Sequence, residues 1–148
     1  MNKPKVLFLC TGNSARSQMA EGLLRAMAGE HFEVFSAGTD PAGRILPEVQ
    51  QVMGEIGLDI SSQYCKSVKE YLGKVHFAYV ITVCADAEKN CPVIFLNMGI
   101  HEHWPFDDPA QFDPETRLAR TREVRDQIEA RLRSWLSAQS LTPHEFRV

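Results

Sequence analysis

The segment VLFLCTGNSARS, residues 6–17, is the most informative part of the sequence about the fold. An apolar run of strand type stops at Cys10, and a small polar loop then leads into a helical pattern. A strand that feeds a tight loop and a helix start points backbone N–H groups and the positive end of the helix dipole at one spot. The sequence therefore predicts an anion-binding loop. Its residues are Thr11, Gly12, Asn13, Ser14, Ala15, Arg16 and Ser17.

The side chains at the two ends of this loop indicate its chemistry. Helix N-termini and nearby cations lower the pKa of cysteine from about 8.5 toward about 3.5–7.5, so we expect Cys10 to be a thiolate at neutral pH. Arg16 offers a planar pair of donors suited to a tetrahedral oxyanion, and Gly12 and Asn13 are expected to adopt backbone angles that other residues avoid. The alternative is a buried cysteine before an ordinary turn. The whole pattern favours a nucleophile beside an anion clamp.

Length and composition predict a single domain over residues 1–148. Of the 148 residues, 44% are hydrophobic and 24% charged, which suffices for one core. The net charge of −3 and the absence of a long basic cluster argue against nucleic acid or an anionic membrane surface as a partner. The apolar run before Thr11 is too short for a signal peptide or a membrane span, so we expect a cytoplasmic protein. The polar tail from about Ser140 is a candidate for disorder.

The order of predicted elements indicates an α/β fold. Apolar and β-rich runs predict strands at 6–9, 32–35, 77–83 and 93–96, with a loop holding His101 and His103 after the last. Helical spacing predicts helices over 16–28, from Pro47 to about 56, near 68–72 and over 114–138. We therefore expect a doubly wound, parallel sheet of about four strands flanked by helices. Ligands of such sheets bind at the carboxyl ends of strands, where Cys10 and Cys84 both lie.

The four cysteines, in a chain without an export signal, suggest reactive thiols rather than a disulfide framework. Cys84 and Cys91 are seven positions apart, so a helix between them would separate their Cα atoms by about 10.5 Å. A disulfide needs Cα atoms about 4.4–6.8 Å apart, so the segment between the two cysteines would have to unwind before they could form one. The pair is therefore a candidate redox switch. Alternatives are simple packing, a static disulfide, or a metal site with His101 and His103, for which the spacing is unusual.

Several segments together resemble thioredoxin-coupled arsenate reductases, which share the fold of low-molecular-weight protein tyrosine phosphatases. The resemblance rests on residues 10–22 (CTGNSARSQMAEG), 36–38 (SAG), 82–92 (TVCADAEKNCP) and 102–109 (EHWPFDDP). It covers nearly the whole chain, and the cysteine pattern makes it specific to the reductase branch.

The resemblance implies a three-cysteine mechanism. Arsenate would bind in the loop, Cys10 would attack arsenic, and Asp108, which precedes a proline, would protonate the departing oxygen in preference to the neighbouring Asp107. Cys84 would then attack Cys10 and release arsenite, and Cys91 would attack Cys84. Thioredoxin would reduce the resulting disulfide as external reductant, with no tightly bound cofactor and no metal.

The chain also departs from the family pattern. Ala15 stands where some relatives have another cysteine, and Cys65 has no role that the resemblance implies. Some relatives bind potassium through groups that match Asn13, Glu21 and Ser36 together with an acidic residue, whose place Lys66 takes here. We therefore expect weak potassium dependence or none.

Two other functions compete with arsenate reduction. A low-molecular-weight phosphatase acting on phosphotyrosine or small phosphoesters would use the same loop, since arsenate and phosphate have nearly the same shape. Against it stand Ala110 and Gln111, where such phosphatases carry an aromatic pair, and the two extra thiols, which hydrolysis does not need. A non-catalytic oxyanion or redox sensor would not need Cys10, Arg16 and Asp108 together.

Overall fold

Four parallel strands form the sheet at the centre of the molecule. A computed structural model of the chain describes residues 3–92, 95 and 98–147. The strands are β1 (Lys5–Cys10), β2 (Glu33–Gly38), β3 (Tyr79–Thr82) and β4 (Ile100–His103), and their order across the sheet is β2-β1-β3-β4. All pairings are parallel. The predicted four-stranded parallel sheet is therefore confirmed.

Helices α1 (Arg16–Ala28), α2 (Pro47–Glu55), α3 (Ala85–Asn90) and α4 (Arg117–Ala138) accompany the sheet, with short 3-10 helices at Val68–Glu70 and Pro109–Gln111. Helix α1 packs on β1 and β2, and α4 packs on α1 and α2. Helix α1 has the predicted bounds, and Pro47 begins α2 as predicted, because its fixed φ suits the first helical turn. No described helix has the length and apolar character needed to cross a bilayer.

The strand order places the functional end of the sheet. From β1 the chain moves to β2 on one side and later to β3 on the other, so the order reverses between β1 and β3. Leu9 pairs with Thr82 across these two strands, which brings Cys10 and Cys84 to neighbouring carboxyl ends. Strand β1 is almost fully buried, as expected for a central parallel strand.

The fourth strand differs from the prediction. Residues 93, 94 and 96 of the expected strand lie outside the described residues, and Phe95 is helical. The strand that pairs with β3 is Ile100–His103, so the expectation that His101 and His103 lie in a loop is wrong. This strand lies at the edge of the sheet, where half-exposed polar side chains are tolerated and no apolar run marks the strand.

The segment after residue 140 lies against the helices. The His144 backbone N–H donates to the Met27 carbonyl at 2.9 Å, and Arg147 forms an ion pair with the buried Glu129 at 2.6 Å. Phe146 packs against the core. The part of the tail that was a candidate for disorder therefore has defined partners up to residue 147.

Candidate active site

The loop after β1 turns its N–H groups toward a cleft because its carbonyl oxygens are occupied on the other side. A planar trans peptide points its N–H opposite to its C=O, so each outward carbonyl leaves the next N–H inward. The outward hydrogen bonds run from Thr39 N–H to Cys10 O, from Asp40 to Thr11, from Ala42 to Gly12 and from Leu46 to Ser14, at 2.9–3.0 Å.

Asn13 adopts the unusual backbone angle that the sequence predicts, with φ of 51°, whereas the expectation for Gly12 is wrong because its φ is not positive. The close approach in this region involves Gly38 instead. A Cβ on Gly38 would come within 2.5 Å of the Thr11 carbonyl oxygen, so only glycine lets the end of β2 lie against the loop.

Asn13 organises a buried hydrogen-bond chain that ends on the sulfur of Cys10. Its Oδ1 accepts from the Lys66 backbone N–H at 2.7 Å and from Gln18 Nε2 at 2.9 Å, which fixes the amide orientation. Its Nδ2 then donates to Ser17 Oγ at 2.8 Å. The Ser17 hydroxyl lies 2.8 Å from the Cys10 sulfur, and it is the donor of this hydrogen bond when the sulfur is a thiolate, which has no proton to give. The Asn13 N–H also donates to this sulfur, at 3.1 Å.

Cys10 itself is more deeply buried than the sequence suggests, with 2% of its surface exposed. Burial raises the pKa of the Cys10 thiol, although the Ser17 hydroxyl, the Arg16 charge and the Asn13 N–H act to lower it. The expected fall in the pKa is therefore wrong for this conformation. The loop supplies groups that stabilise a thiolate. Burial nevertheless removes more of the water that would hydrate a Cys10 thiolate than these groups replace.

Arg16 and Asp108 face each other across the cleft. Arg16 Nη2 lies 3.4 Å from Asp108 Oδ2, and Nη1 donates to the Phe106 carbonyl at 3.2 Å. Arg16 Nε is buried and has no hydrogen-bond partner within the described part of the chain. A buried guanidinium N–H without a partner at the edge of an anion-binding loop is a donor available to an oxyanion.

Asp108, and not Asp107, belongs to this site. The backbone of Asp108 is extended before Pro109, as predicted, and its Oδ1 accepts from the Ala110 N–H at 3.0 Å. Asp107 is 72% exposed at its side chain and lies 3.9 Å from Arg120. The hydrogen bond to Ala110 therefore fixes the orientation of the Asp108 carboxyl.

A cleft of about 440 Å³ joins these groups. Cys10, Arg16, Cys84 and Asp108 all line it, and so do four of the predicted loop residues. Of the predicted oxyanion loop, Asn13 and Ser17 do not line the cleft; they support it from behind through the hydrogen-bond chain. Ala110, considered above as the place of an aromatic residue in phosphatases, also lines the cleft. Sequence reasoning missed three further lining residues, which are Ala42, Ala85 and Asp86.

Cys84 and Cys91 lie at the two ends of α3. Cys84 is the N-cap residue, and its sulfur accepts from the Ala87 N–H at 3.3 Å and lies 3.3 Å from Thr11 Oγ1. Cys91 follows the last helical residue, is buried and does not line the cleft. Burial and, second, the Glu88 carboxylate raise the pKa of Cys91 to about 11. None of the four cysteines is paired in a disulfide in this structure, and α3 lies between Cys84 and Cys91.

His101 and His103, which the sequence suggests as possible metal ligands, lie close to Glu88, at 2.6 and 3.2 Å. Among the described residues, no group of three or more His, Cys, Asp or Glu side chains is arranged to hold a metal ion.

The Lys66 ammonium lies beside Ser36 and Glu21, two of the three residues that match the potassium-binding groups of some relatives. The side chain of Lys66 is 5% exposed, and Nζ donates to the Tyr64 carbonyl at 2.8 Å and contacts Ser36 Oγ at 3.4 Å and Glu21 Oε1 at 3.5 Å. The ammonium therefore occupies the space among Glu21, Ser36 and the loop below Asn13. Cys65, next to it, donates its thiol proton to the Gly12 carbonyl at 3.1 Å.

Known proteins resemble this chain over most of its length. Residues 5–145 match the family described as low molecular weight phosphotyrosine protein phosphatase. An arsenate reductase of Shouchella clausii is 40% identical over 138 residues, which cover 91% of this chain and 96% of that protein. Arsenate reductase 1 of Staphylococcus epidermidis is 38% identical over 135 residues, or 91% of this chain and 97% of that protein.

A solved structure shows the same fold. The thioredoxin-dependent arsenate reductase of Corynebacterium glutamicum superposes with a TM-score of 0.72 at 33% identity, covering 93% of this chain and 63% of that one. The chain therefore belongs to the low molecular weight phosphotyrosine protein phosphatase family, in the group that contains these arsenate reductases.

Proposed function

We propose that this protein reduces arsenate to arsenite, with Cys10 as nucleophile, Cys84 and Cys91 as an internal disulfide relay, and thioredoxin as the external reductant. The observation that carries the proposal is that Cys10, Cys84, Arg16 and Asp108 line one cleft, while Cys84 and Cys91 flank a single short helix. The names of the related proteins support the same substrate, and that of the Corynebacterium protein supports thioredoxin.

The first step forms a covalent adduct. Arsenate binds against the inward N–H groups of the loop and the guanidinium of Arg16, which orient it and offset its charge. The Cys10 thiolate attacks arsenic and forms an S–As bond, while Asp108 protonates the oxygen that leaves as water. Because the pKa of Cys10 is raised in the closed protein, the Ser17 hydroxyl and the Asn13 N–H are needed to hold the attacking thiolate.

The second step transfers two electrons to arsenic. The Cys84 sulfur attacks the Cys10 sulfur, the S–As bond breaks with its electron pair on arsenic, and As(V) leaves as As(III) in arsenite. A Cys10–Cys84 disulfide remains. Cys84 is suited to this attack because it lines the cleft together with Cys10, and its sulfur lies 3.3 Å from Thr11 Oγ1.

The third step moves the disulfide outward. The Cys91 sulfur attacks Cys84 and releases the Cys10 thiolate, which requires α3 to unwind because the folded helix holds the two cysteines at opposite ends. A dithiol of thioredoxin then reduces Cys84–Cys91 by exchange. Such coupling needs a reducing compartment, so we place the protein in the cytoplasm.

Hydrolysis of a phosphoester is the competing function, favoured by the description of the matched family and by a cleft that suits phosphate as well as arsenate. It predicts an activity that depends on Cys10 and Arg16 and is indifferent to Cys84 and Cys91. Arsenate reduction instead predicts an activity that also depends on Cys84 and Cys91.

A coupled assay separates the two functions. With arsenate, thioredoxin, thioredoxin reductase and NADPH, the wild type is expected to oxidise NADPH continuously, and Cys84→Ser and Cys91→Ser are each expected to stop multiple turnover. Cys91→Ser is expected to release one arsenite per enzyme and Cys84→Ser none. Cys65→Ser is the matched control for loss of a thiol. Rapid hydrolysis of an aryl phosphate by all of these variants, without NADPH oxidation, would instead support the phosphatase.

A further inference from the structure

Glu88 connects the helix between the two outer cysteines to the sheet. It lies on α3, and its Oε2 accepts from the Thr82 hydroxyl on β3 at 2.6 Å. Its Oε1 lies 2.6 Å from Nε2 of His101, and its Oε2 lies 3.2 Å from Nδ1 of His103, both on β4. Because the Thr82 proton is used on Glu88, Nδ1 of His103 is the donor to the Thr82 oxygen, 2.8 Å away. One carboxylate thus joins α3 to two strands.

The carboxylate is ionised at neutral pH, which strengthens these contacts. Burial by itself would raise the pKa of Glu88, but the hydrogen bonds from Thr82 and His101 and the nearby imidazoles lower it below its ordinary value. Hydrogen bonds to a charged acceptor are stronger than those between neutral groups.

Helix α3 needs such contacts because it is short. It has six residues, and isolated helices below about 12–15 residues are marginal in water. The Asn90 side chain donates hydrogen bonds to Asp86 within the helix, and these bonds do not connect the helix to the rest of the protein. At the N-terminal end, Asp86 accepts from Thr11 at 3.0 Å, and Ala87 is buried. Glu88 provides the polar contacts of the helix with β3 and β4.

The folded helix and the Cys84–Cys91 disulfide exclude each other. The dithiol is compatible with α3, whereas the disulfide requires Cα atoms within about 4.4–6.8 Å and therefore an unwound segment. Any contact made only by the folded helix favours the dithiol over the disulfide. Such a contact raises the reduction potential of the pair and makes the disulfide a better oxidant of its external reductant.

We propose that Glu88, held by Thr82, His101 and His103, is a latch that sets the thiol–disulfide equilibrium of Cys84 and Cys91. Glu88 is a positioning residue, since it acts through the helix and touches no reacting atom. The inference rests on the proposed relay for its biological meaning. In the reaction, Cys91 loses its proton to solvent and attacks Cys84 of the Cys10–Cys84 disulfide, so that one S–S bond forms as another breaks. The Cys10 sulfur leaves as a thiolate and takes up a proton from solvent, and the number of disulfides does not change.

At pH 7 the charge of Glu88 does not change the thiol–disulfide equilibrium through the ionisation of Cys91. Burial is the larger cause that raises the pKa of Cys91, to about 11, so this thiol stays protonated at pH 7 with or without the carboxylate. A change in the equilibrium at this pH therefore reports the stability of the folded helix.

The test is the equilibrium of Cys84–Cys91 in glutathione buffers at pH 7, measured by acid quench, alkylation and peptide mass mapping in the full chain. We expect Glu88→Gln to shift the equilibrium constant about tenfold toward the disulfide, which corresponds to a reduction potential about 30 mV lower. His101→Gln is expected to shift it in the same direction by less. The double variant is expected to shift it by less than the sum, because the two residues share one contact. Glu123→Gln, an exposed carboxylate on α4, is the matched control.

The latch would be overturned if the equilibrium constant of Glu88→Gln lay within twofold of the wild-type value or shifted toward the dithiol. It would also be overturned if no Cys84–Cys91 disulfide formed at any glutathione ratio. The experiment uses no arsenate, so it is separable from the proposed function. If glutathione forms this disulfide with the expected shift and arsenate does not form it, the latch stands and the reductase relay fails. If arsenate forms it in the wild type and Glu88→Gln is unchanged, only the latch fails.

Discussion

Replacement of Ser17 by alanine tests how the protein holds the Cys10 thiolate. The Ser17 hydroxyl lies 2.8 Å from the Cys10 sulfur and accepts a hydrogen bond from Asn13 Nδ2, which leaves its proton free to be donated to a thiolate. A hydrogen bond to a charged group contributes about 1.5–3 kcal/mol, and about 1.4 kcal/mol corresponds to a factor of ten. Because the hydroxyl stabilises only the anion to this extent, we expect Ser17→Ala to slow alkylation of Cys10 by about 10- to 100-fold at pH 7.

The assay is iodoacetamide alkylation followed by peptide mass mapping, which separates Cys10 from the other three cysteines. The rate is expected to rise with pH in both proteins, as the thiolate fraction increases, and the Ser17→Ala curve is expected to lie at higher pH. Ser137→Ala, an exposed serine on α4, controls for the loss of a hydroxyl. A Ser17→Ala rate within twofold of the wild type at every pH would refute the hydrogen-bond chain as the support of the nucleophile.

Two further predictions concern buried charges away from the cleft. Potassium is expected to change turnover little, because the Lys66 ammonium already contacts Glu21; strong, saturable activation by potassium chloride over sodium chloride would contradict this. Glu129→Gln is expected to cost about 1 kcal/mol in urea unfolding at pH 7, since the carboxylate binds Arg147. The Arg147 contact lowers the pKa of Glu129, so its stabilisation exists above the ordinary carboxyl pKa and is lost as the pH falls through the lowered value. The difference from wild type is therefore expected to disappear in acid, and a pH-independent difference would contradict it.

The sequence indicates the candidate site because many of the residues that line the cleft are close together in the chain. The run from β1 through the loop to α1 is continuous in the chain, so its strand, loop and helix could be predicted from spacing alone. Parallel strands end at one edge of a sheet, which brings Cys84 to Cys10 without any further information. The proline after Asp108 correctly predicted an extended backbone at the carboxylate.

The remaining features depend on contacts between distant segments, which spacing does not encode. The raised pKa of Cys10 results from burial by the folded protein, which outweighs local donors that the sequence does show. Gly38 meets the loop at close range because β2 pairs with β1 at that register, and nothing in the spacing of the loop residues indicates this contact. The edge strand Ile100–His103 carries no apolar run, so its sequence indicates a loop and gives no sign that its histidines contact Glu88.

Mapping the disulfides after a single turnover is the most direct test of the three-cysteine relay. Reduced enzyme is mixed with excess arsenate without thioredoxin, quenched in acid, alkylated and digested, and arsenite is counted in the same sample. The relay predicts one arsenite per enzyme, a Cys84–Cys91 disulfide and a free Cys10 in the wild type, and a Cys10–Cys84 disulfide in Cys91→Ser. Arsenite released with all four thiols still reduced, or no arsenite at all, would contradict the account.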